Sequence, residues 1–135
     1  MSSHDKPAAL LSEVYRLAGE RDWDAVEALV HPEFVLYEAE SLPFGGEWKG
    51  KDALQRCAAA MYATWEEASV NIHEITGGEE WAVVVLSLTM KSKKTGRTFT
   101  QTVNEAAQFE NGLLKALRIH YFDAAEVTAE AGEAA

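Results

Sequence analysis

Cysteine is nearly missing from this chain. A single thiol, Cys57, stands among 135 residues. It can close no internal disulfide, and no cysteine pair exists to hold a structural zinc, which points to a reducing compartment. Histidine is scarce as well. His4, His31, His73 and His120 show no ligand pairing on a helix and no His-Glu-x-x-His, so no metal site is expected. Neither glycine-bearing stretch, "PFGGEW" or "GGEEW", leads into Gly-Lys-Ser/Thr, and both read as turns rather than phosphate loops. No serine or cysteine nucleophile signature is present. No apolar run approaches the ~20 residues that span a bilayer. The opening "MSSHDKPAALLSEVYRL" has no basic region followed by an uninterrupted apolar core, so it does not read as a signal peptide. A soluble, cytoplasmic protein with no membrane partner is the expectation.

Positive charge is the other deficit. Twelve Lys and Arg face 22 Asp and Glu, a net charge of −10 that argues against a nucleic-acid partner. The one basic cluster, "KSKKTGR" (Lys91, Lys93, Lys94, Arg97), surrounds a Thr-Gly turn and reads as a solvated hairpin tip or a contact patch. What remains is ordinary for a globular domain, with 47% hydrophobic and 25% charged residues. The length suits one domain, 1–135, with its core at about 8–123 and a tail at 124–135, able to bury roughly two thirds of its unfolded surface.

Three helices are expected first. Leu10, Leu11, Val14, Leu17 and Ala18 recur at helical spacing after the start signals Asp5 and Pro7, and Gly19 ends the run. Asp22 caps a second helix in which Trp23, Val26, Leu29 and Val30 share a face, stopped by His31-Pro32. "EFVLYEA" reads as a strand. After a loop, "KDALQRCAAAMYATW" forms a third helix with a stripe of Leu54, Cys57, Ala58, Met61, Tyr62 and Trp65. From Glu67 the texture changes to strands: "ASVNIHEIT", "EWAVVVLSLTM", "RTFTQTVNEAAQF" and "LLKALRIHYFD". Gly77-Gly78 and Asn111-Gly112 punctuate them, the second being the strongest hairpin signal. The Ala/Glu-rich tail suits a short helix or disorder. The helices are the only available cover for one face of such a sheet, giving an α+β layer. Long strands twist, so the sheet should curl around the first and third helices and leave a cone open to a small apolar ligand.

This order of elements, with "HPEFVLYEAESLPFGGEWKG" between the second and third helices and a terminal "YFD", resembles the nuclear transport factor 2-like superfamily. Within it the chain is most similar to the SnoaL-like polyketide cyclases and ketosteroid isomerase-like proteins, over roughly Leu10 to Asp123. The resemblance implies a cystatin-like α+β fold, a cone-shaped barrel in which a curved, mostly antiparallel sheet wraps the three N-terminal-half helices. It also implies a general-base carboxylate at the end of the first strand, where Glu38 falls, and a buried protonated acid on the penultimate strand, where Glu105 falls. The family's oxyanion-hole tyrosine on the first helix has no clear match. Tyr15 is one residue out of register with Val14, and one step turns a helical side chain by ~100°. In SnoaL-like cyclases an acid ends the last strand, and Asp123 matches it. Their partner histidine is unmatched, leaving His120 as a candidate.

Strand parity places Phe34, Leu36, Glu38 and Glu40 on one face of the first strand. Glu38 is expected in a cavity and Glu40 outside it; the competing reading ends the strand at Tyr37 with both in water. On the last strand Leu117, Ile119, Tyr121 and Asp123 share the inward face, while Arg118, His120 and Phe122 face outward. Asp123 is either a pocket acid or the cap of a following helix. Glu105 is either a buried acid of raised pKa or half of a salt bridge. Trp23, Met61, Tyr62 and Trp65 on helix faces, with Tyr15, Leu36, Leu117 and Tyr121, are the expected pocket lining. Phe44 and Trp48 flank the loop glycines as a lid or a dimer seam. Two readings follow: a cofactor-free isomerase or cyclase moving a proton on a small hydrophobic carbonyl compound, or a non-catalytic ligand-binding or dimerisation domain. A homodimer is expected, because the outward sheet face needs cover.

Overall fold

The computed structural model describes residues 6–132. His4 and the helix-start signal Asp5 lie outside the described residues, as do the last three residues of the tail. The elements run α1 (Pro7–Gly19), α2 (Trp23–Glu27), β1 (Val30–Glu38), β2 (Gly46–Lys49), α3 (Ala53–Thr64), β3 (Trp65–Gly77), β4 (Trp81–Ser92), β5 (Thr98–Glu110), β6 (Leu113–Tyr121) and α4 (Ala124–Ala131). The six strands form one sheet in the order β2-β1-β6-β5-β4-β3. Only β1 and β6 pair in parallel; every other neighbour is antiparallel.

The sheet curves without closing. β2 and β3 are its two edges, yet α3 packs against β1, β2 and β3 alike. One helix reaches both edges only if the sheet bends around it. Strand twist supplies that bend, and bulges in β1, in β3 between Ile72 and Glu74, and in the β5–β6 pair sharpen it. β4 shows the concave and convex faces most clearly: Ala82, Val84, Leu86, Leu88 and Met90 are buried, and the residues between them are half-buried. Asn111 and Gly112 both take positive φ, 53° and 76°, the two left-handed positions that a two-residue hairpin needs.

α1 turns Leu11, Val14 and Leu17 into the core, while Arg16 on the outer side pairs with Glu13 and Glu20. α2 is shorter than its apolar spacing predicts. Asp22 does cap it, accepting from the Ala25 N–H at 3.3 Å, but the helix stops at Glu27 and Val30 already belongs to β1. His31 and Pro32 therefore lie inside a strand, in the stretch between Val30 and Val35 where the register to β6 shifts. A bulge tolerates a residue without an N–H. The loop before α3 also holds a strand that the sequence did not announce: β2 pairs Trp48 with Leu36. At Gly45 no side chain fits, since a Cβ would lie 2.1 Å from the Ala39 carbonyl oxygen.

α4 folds back onto β5. Arg97 bridges Glu126 and Glu130 at 2.8 and 2.9 Å, Gln101 donates to Glu126, and Val127 is fully buried. The basic hairpin tip is thus partly engaged, and Lys93 also donates to the Ala63 carbonyl.

Candidate active site

The concave face rises in rows, because antiparallel and parallel partners alike present side chains to the same side of a sheet. One row joins Leu36, Leu117 and Ala107 across β1, β6 and β5. Carrying the β1–β6 register forward by two residues sets Glu38 beside Ile119, which pairs with Glu105, which pairs with Val84. The next row holds Tyr121, Val103 and Leu86. Two carboxylates therefore flank one isoleucine, their Cα atoms ~10 Å apart by two strand spacings.

Over this row lies a cavity of about 460 Å³, walled by α1 and α3 and lined chiefly by apolar side chains. Glu38 and Glu105 supply its acids, and Tyr15, Tyr62 and Tyr121 its hydroxyls. Val70 and Ile72 of the edge strand β3 also line it and stay over 40% exposed, so they mark its mouth.

Glu38 is 6% exposed. Burial raises its pKa from 4.5 to about 7, opposed by the Ala39 N–H, which donates to it at 3.2 Å, and by the neighbouring Tyr121 hydroxyl. Burial likewise pushes Glu105 up to about 7. Its oxygen Oε1 accepts a hydrogen bond from the Tyr15 hydroxyl. The Tyr121 hydroxyl is raised by burial and by the charges of both glutamates. Cys57, on the α3 wall, is held up to about 12 by burial and the Glu38 charge. A thiol so placed stays neutral and acts as a small apolar group.

Tyr15 corrects the register argument made from Val14. The buried stripe of α1 is Leu11, Val14 and Leu17, and its flank, Tyr15, Ala18 and Gly19, overlooks the cavity. A 100° step left the tyrosine at the edge of the face, where its length carries the hydroxyl to Glu105. Of the other expected lining residues, Trp23, Leu36, Met61, Tyr62 and Tyr121 do line the cavity.

Seven others lie elsewhere. Asp123 caps α4, accepting from the Glu126 N–H at 3.2 Å, while its own N–H donates to Gln101; it does not line the cavity. His120 is exposed on the convex side. Phe44 is buried in the core, and Trp48 donates its indole N–H to the Phe44 carbonyl at 3.0 Å. Trp48 sits on the edge strand with the Arg56 guanidinium of α3 5.8 Å from its ring centre, and neither it nor Phe44 lines the cavity. Trp65 begins β3 and meets Phe99 edge to face at 5.7 Å. Leu117 has the inward parity but sits 1% exposed in a filled row. Glu40 is exposed in the turn after β1.

Among the described residues, no group of three or more His, Cys, Asp or Glu side chains is placed to hold a metal ion. Among the same residues, no helix is long and apolar enough to cross a membrane.

The open, curved sheet over helices is the fold of the nuclear transport factor 2-like proteins, also called cystatin-like. Solved structures agree. One is a protein of unknown function of this fold from Burkholderia pseudomallei, 21% identical with a TM-score of 0.77 over 92% of this chain and 95% of that one. Another, of unknown function with a cystatin-like fold, comes from Xanthomonas campestris (14%, TM-score 0.77, 94% and 99% covered). A third, from Mesorhizobium loti, has been proposed to be a SnoaL-like polyketide cyclase (17%, TM-score 0.65, 84% and 97% covered). The model of the SnoaL-like domain matches residues 11–117, so the chain belongs to the SnoaL-like family. Comparison with curated proteins found no match.

Proposed function

We propose that this protein is a cofactor-free proton-transfer enzyme, an isomerase or cyclase acting on a small hydrophobic carbonyl compound. The observation that carries this reading is the pair of acids, both raised to about 7, in one apolar cavity with a tyrosine hydroxyl on one of them. Equal pKa values do not separate their roles, and each acid has a tyrosine hydroxyl beside it, Tyr121 at Glu38 and Tyr15 at Glu105; the roles follow the resemblance, with the base at the end of the first strand. Glu38 as carboxylate is the base: it takes a proton from the carbon next to the carbonyl, and the C–H pair moves into an enolate. Glu105, protonated and joined to Tyr15, faces the developing oxyanion and donates to it. Returning the proton to a different carbon completes an isomerisation; attack of the enolate on a second carbonyl completes a cyclisation. A base with a pKa near the working pH is both available and strong enough, and donors fixed before reaction lower the barrier most in an apolar site.

The test is exchange of the methyl protons of 2-acetylnaphthalene in deuterated buffer, followed by proton NMR. Wild type is expected to exceed buffer, with a maximum near pH 7, because Glu38 must be ionised and Glu105 protonated. Glu38→Gln should lose about 100-fold or more of the rate. Exchange no faster than buffer for this ketone and a set of related apolar ketones would leave the non-catalytic binding reading, for which the cavity alone is sufficient. The assembly proposed with it is a homodimer, in which the convex face with Arg118 stacked over Tyr37 at 4.2 Å, His120 and the 87% exposed Phe122 contribute to the contact.

A further inference from the structure

Arg21 lies in the turn between α1 and α2 and has no part in the proton transfer. Among the described residues it is the only basic one lining the cavity. Its φ is 60°, and among the described residues only Asn111, in the β5–β6 turn, is another non-glycine with positive φ. Left-handed backbone favours glycine, and the chain places a glycine two residues earlier, at Gly19, where none is required. The guanidinium lies 5.1 Å from the centre of the Tyr62 ring, which also lines the cavity. The nearby carboxylates are engaged elsewhere: Glu13 and Glu20 pair with Arg16, and Asp22 caps α2. In a chain of net charge −10, Arg21 has no carboxylate partner among the described residues.

We infer that Arg21 binds the anionic group of the ligand, so that the substrate class is an apolar carbonyl compound bearing a carboxylate at the end remote from the reacting carbon. The inference rests on the reading of this same cavity. Tyr15 and Gly19 lie four residues apart on α1, a rise of ~6 Å, and Arg21 stands in the turn two residues beyond the helix end. The ligand therefore needs an extended apolar body that reaches from the acids to that turn, and the lining of Ala18, Met61, Val70 and Ile72 suits it. An arginine is matched to a carboxylate by its planar fork.

The test compares 6-acetyl-2-naphthoate with the isosteric neutral 6-acetyl-2-naphthamide, titrated into wild type, Arg21→Gly and Arg21→Lys by calorimetry. Wild type should bind the acid about 10-fold tighter than the amide, the scale of one charge-assisted hydrogen bond. Arg21→Gly should erase that preference without lowering the melting temperature, because glycine suits the backbone there; Arg21→Lys should keep part of it. Equal binding of acid and amide to wild type overturns the inference, as does a preference that survives in Arg21→Gly, or no binding of either compound. Exchange of the acetyl protons, read on the same two compounds, separates this from the catalytic reading. Exchange without an acid preference refutes the role of Arg21 alone; an acid preference without exchange refutes catalysis alone.

Discussion

Replacing Glu38 by glutamine should make the protein more stable, and by an amount that depends on pH. The unfolded carboxyl titrates near 4.5 and the folded one near 7. Between those values the folded chain holds a proton that the unfolded chain has released, so the folded state loses stability as pH rises. Integrated for one group, the penalty is about 0.8 kcal/mol at pH 5 and about 3 kcal/mol at pH 7. Glutamine carries no such penalty, and its amide oxygen can still accept the Ala39 N–H. With an unfolding entropy of about 0.3 kcal/mol/K for a chain of this size, the variant should melt about 3 °C above wild type at pH 5 and about 10 °C above it at pH 7. Glu105 contributes its own term to both proteins, and the difference cancels it. Thermal scans of the two proteins across pH 4.5 to 8 read this directly. A gap that stays flat with pH, or a variant that melts lower, would refute the claim that desolvation sets the Glu38 pKa.

Asp123 should behave in the opposite way. Asp123→Ala is expected to lose about 1 kcal/mol as the α4 cap is removed, whereas Asp123→Asn stays close to wild type because asparagine caps as well; thermal melting near neutral pH distinguishes these from a pocket acid, which would gain stability on neutralisation. Tyr15→Phe removes the hydroxyl that donates to Glu105. A hydrogen bond to the ionised form favours that form, so Glu105 should titrate above its value of about 7 in the variant, as followed by carbon NMR of its carboxyl. The same variant should slow ketone exchange, since Glu105 loses the hydroxyl that holds it in place and, with a higher pKa, is a weaker donor to the enolate oxygen. Light scattering at micromolar concentration should give twice the 14.8 kDa chain mass; a monomer would remove the proposed homodimer.

Much of the sheet could be read from period-two patterning. Val84, Leu86, Leu88 and Met90 alternate as buried strands do, Asn111-Gly112 is where the hairpin turns, and the parity of Phe34, Leu36 and Glu38 sends the acid inward while Glu40 falls in the turn beyond. Parity says which face a residue takes, not how deep it sits. Leu117 and Ile119 share a face, yet one is in a filled row and the other lines the cavity. Trp65 continued a helical stripe in the sequence but adopts extended backbone, because the helix ends at Thr64 and the chain enters β3 there. β2, four residues long behind two glycines, carries too little pattern to register as a strand. Asp123 fitted two roles equally, and the local one, capping, is what the geometry shows. Arg21 was silent for another reason: its left-handed turn depends on how α1 and α2 pack, and Gly19 offered a more conventional stop signal nearby.

The edge strand β3 has a consequence for the protein in concentrated solution. Its 13 residues leave one side of a long backbone without a neighbouring strand. Such an edge invites pairing with another chain, the first step of ordered aggregation. Val70 and Ile72 cannot be exchanged for charge without altering the mouth of the cavity. Protection falls instead to Glu66, Glu67 and Glu74, all exposed, and to the bulge beside Ile72. Their like charges repel an approaching copy of the same edge, so replacing all three with glutamine should make the protein aggregate at concentrations where wild type stays dispersed.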